Sequence, residues 1–125
     1  MRRIIVVDDE PDITSGIMGC LGDRFHVNTF NDPLQALSSF RQGVYDVALI
    51  DVKMPKMNGF ELYKEMYCID PEVIFCFITA FEIRLSEFKK IFPTMKVTGF
   101  LKKPFSADEL ARLLEEELDY AASAH

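Results

Sequence analysis

The chain has 125 residues, of which 49% are hydrophobic and eleven are Phe. This length and apolar content suit one compact domain with a single core and leave no room for a second domain. The formal net charge of -6 argues against direct binding to nucleic acid or to an anionic membrane surface, because both attract basic patches. A protein or a metal ion is therefore the partner to expect.

Cysteine and histidine usage argues against two further classes of protein. Cys20, Cys68 and Cys76 are an odd number without C-x-x-C spacing, and the only histidines are His26 and His125, so neither a disulfide framework nor a zinc site is indicated. The apolar stretch near the N-terminus is too short for a signal peptide, and no apolar run approaches the roughly 18 residues that span a bilayer. We expect a cytoplasmic protein with reduced thiols.

The first half of the chain predicts three strands and two helices. Its short runs rich in Val and Ile are typical of strands buried on both faces. Asp32 is an N-cap followed by Pro33 at the first helical position, which begins a helix. In chain order, the predicted elements are strand 4–7, helix 12–21, strand 26–30, the helix that Asp32 begins, and strand 47–50.

The second half predicts three helices and two strands. Asn58 and Gly59 mark a turn before the third helix, and Gly59 is expected to supply a positive φ there. Ser106 and Glu109 form a capping box that begins the last helix. In chain order, the predicted elements are helix 60–67, strand 73–78, helix 83–92, strand 97–101, and the helix after Ser106.

Five alternations of strand and helix imply right-handed crossovers and a mostly parallel sheet with helices on both faces. We expect one domain over residues 1–120 and a frayed C-terminal tail over residues 121–125. In this α/β architecture, functional groups gather at the carboxyl ends of the strands. The residues that follow each strand are therefore the candidates for a site.

Charged or hydroxyl side chains follow four of the five predicted strands, and they should converge at one edge of the sheet. They are Asp8 and Asp9 after the first strand, Asp51 after the third, Thr79 after the fourth and Lys103 after the fifth. Strand 26–30 ends in Phe30 and Asn31 and contributes no obvious chemistry. A nucleotide-binding loop would need glycines after the first strand, whereas carboxylates repel phosphate and attract a hard divalent cation. The pattern favours a metal site over a nucleotide site.

Magnesium is the cation that Asp8, Asp9 and Asp51 predict. Two or three protein oxygens leave room for waters and a phosphoryl oxygen, and the chain has no EF-hand loop for calcium. If the carboxylates gather within about 4 Å, each pair repels by about 4 kcal/mol at an effective dielectric constant of about 20. Without a cation, at least one of them should be protonated or turned away.

Lys103 and Thr79 complete a site for handling a phosphoryl group. A lysine can neutralise charge on transferred oxygens, and the Thr79 hydroxyl can donate a hydrogen bond to one of them. Lys102 and Lys103 point to opposite faces of an extended strand, so only one should enter the site. Packing alone is an alternative explanation for Thr79, which is β-branched and suits a strand.

The sequence resembles the response-regulator receiver family along essentially its whole length. Four motifs carry the resemblance, each at a predicted strand end: VVDDEP at 6–11, LIDVKMP at 49–55 with NGF at 58–60, TA at 79–80, and GFLKKPF at 99–105. The resemblance implies a doubly wound (βα)5 flavodoxin-like sandwich, with a five-stranded parallel sheet in the order 2-1-3-4-5. It also implies a phosphorelay role in two-component signalling.

The same resemblance implies a role for each site residue. Asp51 would be the phosphoacceptor, attacking the phosphohistidine of a histidine kinase or a small phosphodonor. Asp9 would bind Mg²⁺ directly, Asp8 through water, and the backbone carbonyl of Lys53 would be a further ligand. The domain would phosphorylate and dephosphorylate itself and have no turnover substrate.

Two further residues are implied as a switch. Thr79 would reorient toward the phosphoryl group, the rotamer of Phe100 would follow it, and Lys103, before a cis Pro104, would contact a phosphoryl oxygen. The surface of the fourth helix, fifth strand and fifth helix would then bind a partner. The expected partners are a sensor histidine kinase or phosphotransfer protein and a downstream effector protein or domain, and phosphorylation-dependent dimerisation is left open.

Two regions depart from the family pattern. The segment between Thr79 and Lys103 is slightly longer than usual, which leaves the fourth helix and its output surface least defined. Lys53 and Phe81 stand where the family tunes hydrolysis of the acyl phosphate, and neither orients a water. We therefore predict a long-lived phosphorylated state.

Two other functions remain open. A phosphatase of the haloacid dehalogenase type also places a nucleophilic Asp after a parallel strand, but it needs a second Asp where Lys53 stands. A receiver-like binding module that no longer takes phosphate is the other. No output domain follows Leu118, so we expect a stand-alone receiver or the front of a longer regulator. The motifs found in the sequence do not identify the cognate kinase or the output target.

Overall fold

The computed structural model describes residues 1–81, 85–94 and 97–123. Strands and helices alternate along the chain, which confirms the predicted pattern. The strands are β1 (Arg3–Val7), β2 (His26–Phe30), β3 (Val47–Asp51), β4 (Ile74–Thr79) and β5 (Val97–Lys102). The helices are α1 (Pro11–Leu21), α2 (Pro33–Ser39), α3 (Gly59–Ile69), α4 (Leu85–Ile91) and α5 (Ala107–Ser123).

The element boundaries differ from the predicted ones at a few positions. Residues 83 and 84 of the predicted fourth helix lie outside the described residues, and α4 ends at Ile91. Helix α5 continues to Ser123, three residues into the segment that we expected to be a tail. Residues 124 and 125 lie outside the described residues, and the domain boundary at residue 120 stays a prediction.

All strand pairs are parallel, and the sheet order is β2-β1-β3-β4-β5. This confirms the predicted doubly wound α/β fold. Val7 at the end of β1 pairs with Ile50, and Thr79 at the end of β4 pairs with Lys102. The register therefore brings the residues after β1, β3, β4 and β5 to the same edge of the sheet.

Alternate residues of the strands contribute to two apolar clusters, one on each face of the sheet. One cluster joins Ile5, Ile50 and Phe77 to helices α2, α3 and α4. The other joins Val6 and Leu49 to helices α1 and α5. The central strands are buried on both faces, as their continuous apolar runs predicted. Within the described residues, no helix has the length and hydropathy needed to cross a bilayer.

Side-chain caps fix where three helices begin. Asp32 Oδ1 accepts a hydrogen bond from the backbone N–H of Leu34 at 2.9 Å. The Ser106 hydroxyl accepts one from the Glu109 N–H at 3.1 Å, and the Glu109 carboxylate accepts one from the Ser106 N–H at 3.3 Å. Both predicted caps are confirmed. A capping box begins α3: Asn58 Oδ1 accepts a hydrogen bond from the Glu61 N–H at 2.9 Å, and the Glu61 carboxylate accepts one from the Asn58 N–H at 3.1 Å.

The prediction of a positive φ at Gly59 was wrong. Gly59 is the first residue of α3, after the Asn58 N-cap, and the positive φ in this loop belongs to Lys56, at 71°. A Cβ on Gly59 would collide with the backbone carbonyl of Asp51 and press on Val52. Glycine is needed here because α3 begins in direct contact with the end of β3.

Candidate functional site

The side chains that follow the central strands converge at the carboxyl edge of the sheet. Asp8, Asp51 and Thr79 are almost fully buried, with 0%, 4% and 1% of their surface exposed. A cavity of about 200 Å³ opens beside them. Its lining residues are Glu10, Asp51, Val52, Lys53, Thr79, Ala80, Phe81 and Lys103.

Lys103 is the cation of the site. Its Nζ atom lies 2.8 Å from Glu10 Oε1, 2.9 Å from Asp8 Oδ2 and 3.6 Å from Asp51 Oδ1. Burial acts to lower the pKa of the ammonium, but the neighbouring carboxylates of Glu10 and Asp8 outweigh it and raise the pKa above its ordinary value. Lys103 is therefore charged at any physiological pH.

The backbone aims this lysine into the site. The Lys103 N–H donates to the Thr79 carbonyl at 2.7 Å, and the Lys103–Pro104 peptide bond is cis, as the resemblance implied. Lys102 is exposed and does not line the cavity. Only one of the two neighbouring lysines enters the site, as strand alternation predicted.

Asp8 is held by the backbone around it. The Glu10 N–H donates to Asp8 Oδ1 at 2.9 Å, whereas Asp8 Oδ2 accepts no hydrogen bond of good geometry from the described residues. The contact of that oxygen with Lys103 Nζ at 2.9 Å is therefore best described as an ion pair. Burial raises the pKa of the Asp8 carboxyl.

Asn31 is a site residue that sequence reasoning missed. The Asn31 amide donates to the Asp8 carbonyl at 2.8 Å and to the Thr14 hydroxyl at 3.0 Å. The signal was available, because Asn31 directly follows β2, and Val7 and Phe30 are partners in the parallel register. We had assigned no chemistry to the end of this strand, yet its amide braces the backbone of Asp8.

Asp51 is strongly perturbed. Burial raises the pKa of its carboxyl to about 7, and the nearby Asp8 carboxylate adds to the effect, against the opposing charge of Lys103. A hydrogen bond with Asp9 raises the pKa further. The Asp51 carboxyl is therefore only partly ionised near neutral pH, as repulsion between neighbouring carboxylates predicts.

The donor set fits a hard divalent cation. Carboxylate oxygens of Asp8, Asp9 and Glu10 lie within 4.8 Å of one another, and oxygen ligands of this kind are those that Mg²⁺ prefers. The Asp8 oxygen without a hydrogen-bond donor offers a lone pair for an ion or its waters. Glu10 is the member of this group that the sequence interpretation left out.

Lys53 and Phe81 both line the cavity and contact each other. The Lys53 Nζ atom lies 4.4 Å from the centroid of the Phe81 ring, a cation–π distance. The Phe81 side chain is half exposed, and its backbone N–H donates to the Thr79 hydroxyl at 3.0 Å. These two residues, which no periodicity pairs, line the cavity together with Asp51.

Phe100 contacts both the sheet and helix α4. Its ring centroid lies 5.9 Å from that of Phe77 on β4 and 5.0 Å from that of Phe88 on α4. Phe88 in turn lies 5.6 Å from Phe60 on α3. Phe100 is half-buried and packs at the edge of the core, while its role in a switch stays a prediction.

The fold and the site together define a doubly wound α/β domain with an acidic pocket and a partly buried lysine at the carboxyl edge. Residues 4–115 match the family model described as the response regulator receiver domain. The chain belongs to the response regulator receiver family. Receiver domains are signalling modules of two-component systems, not turnover enzymes, and phosphorylation and magnesium are general features of the family.

Curated relatives are similar over most of this chain. The response regulator SaeR of Staphylococcus aureus is 30% identical over 112 residues, which are 88% of this chain and 47% of SaeR. The sensor kinase CckA of Brucella abortus is 29% identical over 119 residues, 93% of this chain but 12% of CckA. The chain thus spans about half the length of SaeR and a small part of CckA.

Solved structures are similar over nearly the full length of both chains. The chemotaxis protein CheY4 of Vibrio cholerae has a TM-score of 0.81 and 27% identity, covering 93% of this chain and 98% of CheY4. The response regulator TrrA of Thermotoga maritima, solved in complex with Mg²⁺-BeF, has a TM-score of 0.76 and 27% identity. That alignment covers 94% of this chain and 99% of TrrA.

Proposed function

We propose that this receiver domain accepts a phosphoryl group on Asp51 from the phosphohistidine of a sensor kinase or phosphotransfer protein, in a Mg²⁺-dependent reaction. One observation carries the proposal. Asp51 is a buried carboxylate that lies beside Asp8 and within 3.6 Å of the Lys103 ammonium, at the edge of a cavity. That combination suits a nucleophile whose product carries additional negative charge.

The chemistry needs an ionised Asp51. An oxygen of its carboxylate attacks phosphorus, the bond from phosphorus to the histidine nitrogen breaks, and that nitrogen keeps the electron pair. A pKa of about 7 leaves about half of the carboxyl ionised at neutral pH. Lys103 neutralises charge that develops on the transferred oxygens.

The residues that would hold Mg²⁺ are Asp8, Asp9, Asp51 and the backbone carbonyl of Lys53. The ion, when bound, supplies charge neutralisation for the phosphoryl oxygens and the carboxylates. The Asp8 oxygen that accepts no hydrogen bond from the described residues and the closely spaced carboxylate oxygens of Asp8 and Asp9 support the first two of these ligands. Asn31 serves the same purpose indirectly, because it holds the Asp8 backbone in place.

Phosphorylation would be relayed through Thr79 and Phe100. The Thr79 hydroxyl, which accepts from the Phe81 N–H, would reorient to donate to a phosphoryl oxygen, and Phe100 would follow. Because Phe100 packs against Phe88 of α4, its movement would alter the α4-β5-α5 surface. An effector protein or domain in the cytoplasm would bind that surface, or a second receiver would do so in a dimer.

We also propose that the acyl phosphate is long-lived. Lys53 and Phe81 contact each other and line the cavity beside Asp51, and neither side chain carries a carboxylate or amide to orient an attacking water. A half-life of many minutes in purified protein with Mg²⁺ is expected. A half-life of only seconds would contradict this part of the proposal.

Incubation with acetyl phosphate and Mg²⁺ separates the candidate functions. The proposal expects one stable phosphoryl group per chain, absent from Asp51→Asn. Turnover of added phosphate esters would instead identify a phosphatase. That mechanism needs an acid at the position of Lys53, whose ammonium contacts the Phe81 ring. Absence of any labelling would identify an inert binding module.

A further inference from the structure

The Lys103 ammonium is nearer to Glu10 and Asp8 than to Asp51. Its distances to their carboxylate oxygens are 2.8, 2.9 and 3.6 Å. Asp8 and Asp51 are buried, whereas 59% of the Glu10 side chain is exposed. The closest partner of the lysine is thus the one most free to move away.

Glu10 also lines the cavity that a phosphoryl group on Asp51 must enter. A phosphoryl group brings about two negative charges and acceptor oxygens, and Lys103 is the cation placed to meet them. The carboxylate of Glu10 therefore competes with the phosphoryl group for the same ammonium. Its like charge also opposes entry into the cavity.

The backbone of Glu10 is fixed, so only its side chain can yield. The Glu10 N–H donates to Asp8 Oδ1 at 2.9 Å, and the Glu10 carbonyl accepts from the N–H of Ile13 at 3.0 Å at the start of α1. These bonds hold the main chain between β1 and α1 in place. Movement of the carboxylate then requires only side-chain rotation.

We propose that Glu10 is a positioning residue that holds Lys103 away from Asp51 in the unphosphorylated domain and so weakens capture of a phosphoryl group. This inference rests on the proposed function of Asp51. The ion pair of Glu10 with Lys103 must break when the phosphoryl group binds. Removing the charge of Glu10 should therefore favour the bound state.

The test measures binding of beryllofluoride, the phosphoryl mimic present in the TrrA structure, by calorimetry at saturating Mg²⁺. Glu10→Gln keeps the size of the side chain and removes its charge. Asp12→Asn is the matched control, because Asp12 is an exposed acid at the start of the same helix that does not line the cavity. Mg²⁺ alone is titrated separately, since Glu10 also lies close to Asp8 and Asp9.

Glu10→Gln should bind beryllofluoride about two- to fivefold more tightly than wild type, the range typical of a partly exposed ion pair. Asp12→Asn should change the affinity by much less. Equal gains in both variants, or no gain in Glu10→Gln at saturating Mg²⁺, would overturn the inference about Glu10 but leave the proposed function of Asp51 intact. If wild-type protein binds no beryllofluoride, the proposed function and this inference both fail. Thermal unfolding of both variants verifies that they are folded.

Discussion

Asp51→Asn should stabilise the metal-free domain, and the gain should depend on pH. In wild type, the Asp51 carboxylate is buried beside Asp8, which raises its pKa from 3.8 to about 7. At about 1.4 kcal/mol per pH unit, this rise corresponds to about 4 kcal/mol of unfavourable free energy when the group is ionised. The asparagine amide also needs hydrogen bonds when buried, so we expect a net gain of about 1–3 kcal/mol above pH 7.

The sign of the pH dependence follows from which state binds the proton. Between pH 3.8 and about 7, native Asp51 keeps its proton while the unfolded carboxyl loses it. The unfolded state then binds fewer protons, and wild-type stability falls as the pH rises through this window. The advantage of Asp51→Asn should therefore be small near pH 4, grow up to about pH 7 and level off above it.

Urea unfolding in EDTA at several pH values measures this difference. Asp70→Asn is the matched control, because Asp70 is as buried as Asp51, at 4% exposure, but accepts backbone N–H bonds from Gly43 and Glu72 at 2.9 and 3.0 Å. Its substitution should destabilise the domain by about 1–3 kcal/mol. A loss of stability in Asp51→Asn at pH 8, or a gain that does not vary with pH, would refute the reasoning.

Four more substitutions have expected outcomes. Lys103→Met should slow labelling of Asp51 by acetyl phosphate about a hundredfold, measured by intact mass, because it removes the ammonium that lies 3.6 Å from the Asp51 carboxylate; an unchanged rate would remove Lys103 from the mechanism. Gly59→Ala should lower the free energy of unfolding in urea by about 3 kcal/mol, because its Cβ would overlap backbone atoms. Gly16→Ala, with open space around the new Cβ, should raise it by about 0.5–1 kcal/mol. Phe81→Ala should shorten the lifetime of the acyl phosphate, followed by loss of label; an equal lifetime would show that the ring does not shield Asp51.

Much of the fold follows from local sequence signals. The central strands are apolar runs because they are buried on both faces of the sheet. Asp32 and Ser106 begin helices because their side chains accept hydrogen bonds from free backbone N–H groups. The site follows from one rule of parallel sheets, since Asp51 and Thr79 are strand-end residues that share an edge. These features depend on neighbours in sequence or on strand order alone.

The features that sequence reasoning missed depend on contacts between loops. The pairing of Glu10 with Lys103 joins residues 93 positions apart, and long flexible side chains leave no periodic signal. The sequence predicted a turn with positive φ at Gly59. The actual requirement for glycine is the close approach of α3 to the end of β3, a tertiary contact that leaves no local signal. Asn31 was overlooked because its role is to brace the backbone of a neighbouring strand.

The central claim is that Asp51 is the residue that takes the phosphoryl group. Borohydride reduces an acyl phosphate to an alcohol, so peptide mass spectrometry after labelling with acetyl phosphate and Mg²⁺ identifies the acceptor directly. The account predicts that Asp51 alone is converted to homoserine, and that omission of Mg²⁺ or of the phosphodonor abolishes the conversion. Conversion at Asp8 or Asp9 instead, or at no residue, would contradict it.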